Sequence, residues 1–184
     1  CHLLYELVLA LFEFFLLLGL LCLCPKLSAQ HMPTRVFPTP QEIEVTNQPF
    51  ISADFRITGL KSVDSVAISF LKEILPIAPN KKAIPIKISF LKDKQAELQR
   101  SGAYRLKITD KSISIEIKDD RSLFYAVQTI KQLVSKTNDG KIKLYPCMIT
   151  DYPDVAYRGT VEGFYGTPWS FDDRIEQLRF YGKI

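Results

Sequence analysis

The chain has 184 residues, of which 47% are hydrophobic and 24% are charged, and its formal net charge is +4. At about 150 residues per domain, this length allows one domain or slightly more. The composition excludes a disordered chain, a collagen-like repeat and a disulfide-dense miniprotein. The basic surplus is too small and too dispersed for a dedicated nucleic-acid binder, so we expect no nucleic-acid partner.

Residues 1–29 are interpreted as a signal peptide. The stretch 7–23 is apolar except for Glu13, and small residues at the cleavage positions suit removal after Ala29. The apolar stretch is slightly short for a bilayer-spanning helix, which needs about 20 residues. We therefore expect an exported protein, periplasmic or extracellular, with no stable membrane span after cleavage. A lipoprotein anchor is the alternative, although bulky leucines precede both candidate cysteines.

Removal of the leader leaves few residues for metal or nucleophilic chemistry. Cys147 would be the single cysteine, and His31 the single histidine, close to the new terminus. These counts exclude an intrachain disulfide, a cysteine zinc site, a Ser-His-Asp triad and a histidine metal cluster. We expect no metal and no cofactor, and we interpret Cys147 as a small buried side chain.

Apolar periodicity predicts an α+β domain over residues 42–150, after a proline-rich extended arm at 30–41. The expected elements, in chain order, are strand Glu42–Thr46, strand Asp54–Thr58, helix Ser62–Leu75, strand Ile84–Leu91, a hairpin of Tyr104–Thr109 and Ser112–Lys118, a helix from Asp120 to a turn at 138–140, and strand Lys141–Ile149. Pro85 suggests that its strand lies at a sheet edge. Two helices would cover one face of a mainly antiparallel sheet.

The composition changes after residue 150. A linker at 151–154 precedes a predicted strand at Val155–Val161, a loop dense in glycine and aromatic residues, and a helix from Ser170 to Tyr181. A single strand with one helix cannot bury both faces of a parallel sheet. We therefore expect residues 151–184 to be the start of a second, incomplete domain.

The loop carries a resemblance to a known family. Residues 157–170 read YRGTVEGFYGTPWS, and they are supported by DRSLFYAVQT at 120–129 and ITDYP at 149–153. In these motifs the chain resembles the glycoside hydrolase family 84 β-N-acetylglucosaminidases, which include O-GlcNAc hydrolases and enzymes once called hyaluronidases. The resemblance covers most of residues 33–184. It implies a β-hexosaminidase-type N-terminal α/β domain, followed by the truncated start of a (β/α)8 TIM barrel.

The resemblance also implies an activity. The parent protein would remove terminal β-linked N-acetylglucosamine from a glycan or glycoprotein by substrate-assisted, retaining hydrolysis. The substrate's own 2-acetamido oxygen attacks the anomeric carbon, and an adjacent Asp-Asp pair after a later barrel strand orients it and transfers protons. That pair is expected beyond this chain, so the catalytic residues would be absent from it.

Two loop residues receive a substrate-binding role from the resemblance. Gly163 would present its backbone carbonyl to sugar hydroxyls, and Tyr165 would line the pocket, as suits positions just past a barrel strand. Packing inside the barrel is the alternative role for Tyr165. Glu162 has no proton-transfer role in the family, so we expect it to form a structural ion pair with Arg158.

Two acidic pairs in the chain resemble the catalytic pair but are interpreted as helix caps. Ser170 precedes Asp173 by three residues, which places Asp172 and Asp173 in the first turn of a helix, where the helix dipole favours negative charge. Asp119 and Asp120 have the same interpretation at the second helix. The chain alone should therefore show no hydrolysis.

Two alternatives stay open. Family 20 β-hexosaminidases have a similar first domain and a similar Tyr-Arg-Gly strand, but normally continue it with an Asp-x-x-Arg pattern; an Asp-Glu pair beyond Ile184 would identify them. A stand-alone carbohydrate-binding or protein-interaction domain is the other, and it predicts that residues 30–150 bind glycan or a partner by themselves. The sequence leaves the oligomeric state and the natural glycoconjugate open.

Overall fold

The structure, a computed structural model, describes residues 36–46, 48–59, 64–161, 163 and 166–182. The predicted signal peptide, Glu162 and Tyr165 lie outside the described residues. The chain divides into two compact units, Cys1–Met32 and Pro33–Ile184, and the elements given below belong to the second. Within the described ranges, no helix has the length and hydropathy needed to cross a bilayer.

The described ranges contain nine strands, three α-helices and one 3-10 turn. In chain order these are β1 Glu42–Val45, β2 Phe50–Ser52, β3 Phe55–Gly59, α1 Ser65–Ile74, β4 Ile84–Phe90, the 3-10 turn Glu97–Gln99, β5 Tyr104–Ile108, β6 Ile113–Ile117, α2 Asp120–Leu133, β7 Ser135–Lys136, β8 Ile142–Leu144, β9 Cys147–Asp151 and α3 Phe171–Tyr181. The predicted α+β class is confirmed.

The main sheet has six strands in the order β1-β9-β5-β6-β4-β3, and β2, β8 and β7 form a smaller sheet. The pairings of β1 with β9, β9 with β5, and β5 with β6 are antiparallel. Those of β6 with β4 and β4 with β3 are parallel. The parallel pairing of β3 with β4 requires a crossover connection, which α1 supplies. The sheet is therefore mixed, and the antiparallel half includes the predicted hairpin.

The predicted edge position of the proline-containing strand is wrong. β4 lies between β3 and β6, with Pro85 opposite Arg56 of β3. The backbone N–H of Ile84 donates to Asp54 on the β3 side, so the missing N–H of Pro85 faces the β6 side. Pairing with β6 begins only at Ile86, and the proline therefore removes no hydrogen bond from the sheet.

The segment after α2 also differs from the prediction. α2 ends at Leu133, and the predicted turn at 138–140 instead connects β7 and β8 in a small hairpin. The predicted strand Lys141–Ile149 is divided between the two sheets, with Pro146 between β8 and β9. Proline cannot donate to a sheet, so it separates strands that belong to different sheets. β2, which pairs with β8, was not predicted.

The core lies between the main sheet and the two helices α1 and α2. Alternate residues of the central strands are fully buried, namely Leu106 and Ile108 of β5 and Ile113, Ile115 and Ile117 of β6. α1 buries two residues and α2 buries seven, in keeping with their amphipathic sequences. The predicted arrangement of two helices over a sheet is confirmed.

Candidate functional site

The predicted sugar-binding loop lies outside this core. The segment 155–161 forms no strand, and Tyr157 and Val161 are 96% and 97% exposed. A β-strand needs neighbours for its backbone N–H and C=O groups, and no described strand pairs with this segment. The predicted strand is therefore not formed. Gly163 is exposed, and Tyr165 lies outside the described residues.

The acidic pair that follows the loop caps α3, as predicted. The Ser170 hydroxyl accepts a hydrogen bond from the Asp173 backbone N–H at 3.2 Å. The Asp173 carboxylate in turn accepts from the Ser170 hydroxyl at 2.6 Å and from its backbone N–H at 3.1 Å. These bonds from Ser170 hold the pKa of the Asp173 carboxyl below its usual value. Asp173 is therefore part of a capping box, with Asp172 in the same first turn.

The other acidic pair caps α2. The Asp119 carboxylate accepts hydrogen bonds from the Ser122 backbone N–H at 3.0 Å, the Gly102 backbone N–H at 3.2 Å and the Ser101 hydroxyl at 2.6 Å. Partial burial acts to raise the pKa of Asp119, but the hydrogen bonds from Ser101 and Ser122 outweigh it and lower the pKa. Asp119 therefore joins the turn before β5 to α2, and Asp120 lies in the first helical turn.

The basic residue of the Tyr-Arg-Gly motif has a partner that the sequence did not suggest. The Arg158 guanidinium donates to the Tyr125 hydroxyl at 3.0 Å and to the Val155 carbonyl at 2.7 Å. Its central carbon lies 5.4 Å from the centroid of the Tyr125 ring. The expected partner, Glu162, lies outside the described residues. Arg158 therefore connects the segment before the loop to α2.

The predicted buried thiol is confirmed. Cys147 is 6% exposed, and burial raises the pKa of its thiol to about 11. A nucleophilic cysteine needs a lowered pKa and access to solvent, so this side chain is suited to packing only. Among the residues that the structure describes, no group of three or more His, Cys, Asp and Glu side chains could hold a metal ion.

A cleft of about 440 Å³ lies between the N-terminal arm, α2 and the linker after β9. Five residues at helical three-and-four spacing on α2 line it, namely Phe124, Tyr125, Gln128, Thr129 and Gln132. The Gln132 amide pairs with the arm in both directions, accepting from the Phe37 backbone N–H at 2.8 Å and donating to the Phe37 carbonyl at 2.9 Å. Sequence reasoning missed this cleft, although all the α2 residues that line it except Gln132 belong to the quoted DRSLFYAVQT motif.

The linker side of the cleft carries the half-buried carboxyl group of Asp151, at the end of β9. Burial raises the pKa of Asp151, whose carboxylate accepts from the Gln41 backbone N–H at 3.3 Å. Nearby, the buried hydroxyls of Tyr104 and Thr129 share a hydrogen bond of 2.6 Å. The Gln41 side chain donates to Asp154 at 3.0 Å, so the arm holds both acids of the linker. Gly163 is not among the residues that line this cleft.

The end of α3 returns to the same surface. The Gln128 amide donates to the Gly182 carbonyl at 3.0 Å, and Tyr181 lines the cleft. None of the α3 residues is fully buried, and Phe171 and Leu178 are 76% and 65% exposed. The helix therefore touches the α+β domain at one end and leaves most of its apolar surface exposed.

These features define an α+β domain with a loop and a helix attached to one side, and comparison with known proteins identifies its class. Residues 33–152 match domain 2 of glycosyl hydrolase family 20. This match covers more than half of the chain, and the chain therefore belongs to that domain family. Residues 158–184 match a second family, described as β-N-acetylglucosaminidase.

Individual relatives come from two glycoside hydrolase families. The N,N'-diacetylchitobiase of Vibrio harveyi is 28% identical over 138 residues, which are 73% of this chain and 15% of the chitobiase. The solved structure of CpGH84B is 28% identical with a TM-score of 0.66, over 82% of this chain and 28% of that one. A GH20 exo-β-N-acetylglucosaminidase from Vibrio harveyi, in complex with N-acetylglucosamine, is 25% identical with a TM-score of 0.54, over 67% of this chain and 20% of that one. The chain thus spans well under a third of the length of these relatives.

Proposed function

We propose that the protein is part of an exported β-N-acetylglucosaminidase that removes terminal β-linked N-acetylglucosamine from a glycan or glycoprotein. The order of two family matches on one chain carries this proposal, since domain 2 of glycosyl hydrolase family 20 is followed directly by a β-N-acetylglucosaminidase match. A relative in complex with N-acetylglucosamine supports the substrate class. In this proposal residues 1–29 direct export, residues 42–150 form an accessory domain and residues 151–184 begin a catalytic barrel.

For the catalytic part we propose family 84. The VEGFYGTPW motif at residues 161–169 supports this assignment. CpGH84B also matches with a higher TM-score and over more of the chain than the family 20 enzyme does, 82% against 67%. Family 20 is the second candidate, favoured by the domain 2 match and by the chitobiase. In the longer reading frame, an adjacent Asp-Asp pair after a later strand would support family 84, and an Asp-Glu pair would support family 20.

Within the barrel, Gly163 and Tyr165 contact the sugar. The exposed position of Gly163 leaves its backbone free to approach a ligand, and a glycine carries no side chain to prevent that approach. The exposed segment 155–161 becomes the first barrel strand when neighbouring strands take its backbone hydrogen bonds. Because active sites of such barrels lie at the C-terminal ends of the strands, the loop that follows is then at the rim of the pocket.

The test compares the mature chain with the protein from the longer reading frame. Both are assayed with 4-nitrophenyl N-acetyl-β-glucosaminide and with the matching β-glucoside, which lacks the acetamido group. The longer protein should hydrolyse only the first substrate, with retention of configuration, because the substrate's own acetamido oxygen is the nucleophile. Comparable rates on both substrates would contradict the substrate-assisted mechanism, and no hydrolysis of either would contradict the proposed function.

The two acids of α3 provide the internal control. Asp172→Asn should leave the turnover of the longer protein unchanged, because the acid lies in the first turn of a helix. The mature chain alone should hydrolyse neither substrate. Turnover by that chain, abolished by Asp173→Asn, would overturn the capping assignment.

A further inference from the structure

We propose that Tyr125 and Arg158 form a clasp that fixes the direction in which the segment 159–170 leaves the α+β domain. Arg158 is then a positioning residue for the loop that carries Gly163 and Tyr165. The sugar-binding part of this inference rests on the proposed function, whereas the anchoring of the segment does not. The observations that carry it are the contacts of Arg158, the packing of the Tyr125 ring, and the exposure of the described residues between Arg158 and α3.

The clasp joins parts of the chain that are 33 positions apart in sequence. Arg158 donates to the Tyr125 hydroxyl and to the Val155 carbonyl through different guanidinium nitrogens, at 3.0 and 2.7 Å. The planar guanidinium presents its donors in a rigid fork, so two simultaneous bonds orient the side chain as well as hold it. Lysine, with a point charge on a flexible chain, would reproduce the charge without this geometry.

The tyrosine that receives Arg158 is itself held in place. Gly102, with φ +90°, lies so close to the ring that a Cβ atom there would be 2.8 Å from Cε2 of Tyr125. The other neighbour is the Phe124 ring, which meets the Tyr125 ring edge-on with 6.1 Å between centroids. Because Gly102 also donates its backbone N–H to Asp119, the surface against which the ring packs is part of the capped start of α2. The clasp is therefore attached to the rigid part of the domain.

The linker before Arg158 is held at two earlier points. The arm residue Gln41 donates to Asp151, to the Tyr152 carbonyl and to Asp154. On the other side, the Arg100 guanidinium donates to the Pro153 carbonyl at 3.2 Å and lies 5.2 Å from the centroid of the Tyr152 ring. Residues 151–158 thus follow a defined path over the domain surface, and Arg158 is the last anchoring residue along it.

The described residues between the clasp and α3 are all exposed. Val161 is 97% exposed and Trp169 is 50% exposed. The end of α3 also contacts the domain, since the Gly182 carbonyl accepts a hydrogen bond from the Gln128 amide. Of these two contacts, the one between Arg158 and Tyr125 comes first along the chain, so it sets the direction in which the backbone leaves the domain. The clasp is therefore the contact through which the α+β domain orients the proposed sugar-binding loop.

The anchoring is tested in this chain by limited proteolysis with chymotrypsin, with the cut after Tyr157 followed by mass spectrometry. Tyr125→Phe removes the hydroxyl that receives Arg158 and keeps the ring. We expect cleavage after Tyr157 to become roughly threefold faster. The lost hydrogen bond raises the fraction of molecules in which the segment around Tyr157 is detached from the domain and accessible to the protease. Arg158→Lys should have the same effect, because lysine lacks the planar arrangement of donors with which the guanidinium binds Tyr125 and Val155 together.

Tyr145→Phe is the matched control, since its ring lies near Lys143 between β8 and β9 and takes no part in the clasp. It should leave cleavage after Tyr157 unchanged. All variants should keep the melting temperature of the unmodified chain, because the core is untouched. Equal cleavage rates for Tyr125→Phe and the unmodified chain would overturn the clasp, as would an equal acceleration by Tyr145→Phe.

The positioning role is tested separately in the protein from the longer reading frame. Tyr125→Phe should raise the KM for 4-nitrophenyl N-acetyl-β-glucosaminide about threefold and change kcat less than twofold, because a displaced loop loses contacts made in both ground and transition states. If Tyr125→Phe speeds cleavage after Tyr157 but leaves the KM unchanged, the positioning role is overturned, whereas the anchoring of the segment by Arg158 stands. If the unmodified longer protein hydrolyses nothing, the proposed function fails and the cleavage rates alone decide the clasp.

Discussion

The two parts of the described chain bury very different amounts of apolar surface. In the α+β domain, Leu106, Ile115 and Ile130 are fully buried between sheet and helices. After the linker, α3 has an N-cap and a capping box like α2 but no buried residue. The difference shows that local sequence is enough to start a helix, whereas burial of its apolar side chains requires a partner surface of the right shape. Matched substitutions in the two parts, and one at the linker that joins them, test this difference.

The largest expected effect comes from a matched pair of leucines. Leu106→Ala, in the centre of the main sheet, should lower the free energy of unfolding by about 3 kcal/mol, because it removes buried methyl groups and leaves a cavity. Leu178→Ala, on the exposed side of α3, should change it by less than about 0.5 kcal/mol. Urea unfolding followed by circular dichroism measures both. Equal losses would mean that α3 is packed as tightly as the core.

A smaller effect is expected from the two N-caps. Asp119→Ala should cost about 2 kcal/mol, because the carboxylate caps α2 and also holds the turn at Ser101 and Gly102. Ser170→Ala should leave global unfolding almost unchanged and lower only the helical signal of α3. Since the folded pKa of Asp119 is depressed, its contribution is present above the unfolded pKa of about 4 and is lost as pH falls through the folded value. A pH-independent cost of Asp119→Ala would contradict this account.

The smallest effect, with the opposite sign, is expected at the joint between the two parts. Burial raises the pKa of Asp151, so the folded state binds its proton more tightly than the unfolded state does. Stability contributed by this group therefore falls as pH rises from about 4 through the folded pKa. Asp151→Asn keeps an acceptor for the Gln41 N–H and cannot ionise, so its stability relative to the unmodified chain should be greater at pH 7 than at pH 3. Urea unfolding of both proteins at pH 3 and at pH 7 measures this difference in stability. The same difference at both pH values would show that the Asp151 carboxyl is solvated in the folded state.

The parts of the fold that were predicted depend on contacts between near neighbours. The hairpin of β5 and β6 follows from alternation on both sides of a short turn, with Thr109 and Ser112 bonded across it. The starts of α2 and α3 follow from capping residues within three positions of each other. The central position of β4 was missed because the sequence does not show where pairing with β6 begins. That pairing starts at Ile86, so a proline at position 85 is compatible with a central strand. The division of the predicted strand 141–149 at Pro146 was missed because it depends on tertiary pairing, which places β8 in the small sheet and β9 in the main sheet.

Less of the candidate site than of the fold was predictable. The motif that names Gly163 and Tyr165 is read directly from the sequence, and their roles remain proposals. The contact between Tyr125 and Arg158 could not be found in the same way, because it joins a helix of one domain to the segment after the linker. From sequence alone, Phe124 and Tyr125 would have been equal candidates for a contact with the Arg158 guanidinium.

The sequence by itself determined the α+β class, the helix caps that explain both acidic pairs, and the buried character of Cys147. Each depends on side-chain chemistry and on spacing over a few residues, which folding does not alter. Only the tertiary structure decided the mixed order of the main sheet, the cleft between arm, α2 and linker, and the clasp at Arg158. These depend on residues far apart in the chain, whose approach is set by the packing of the core between sheet and helices.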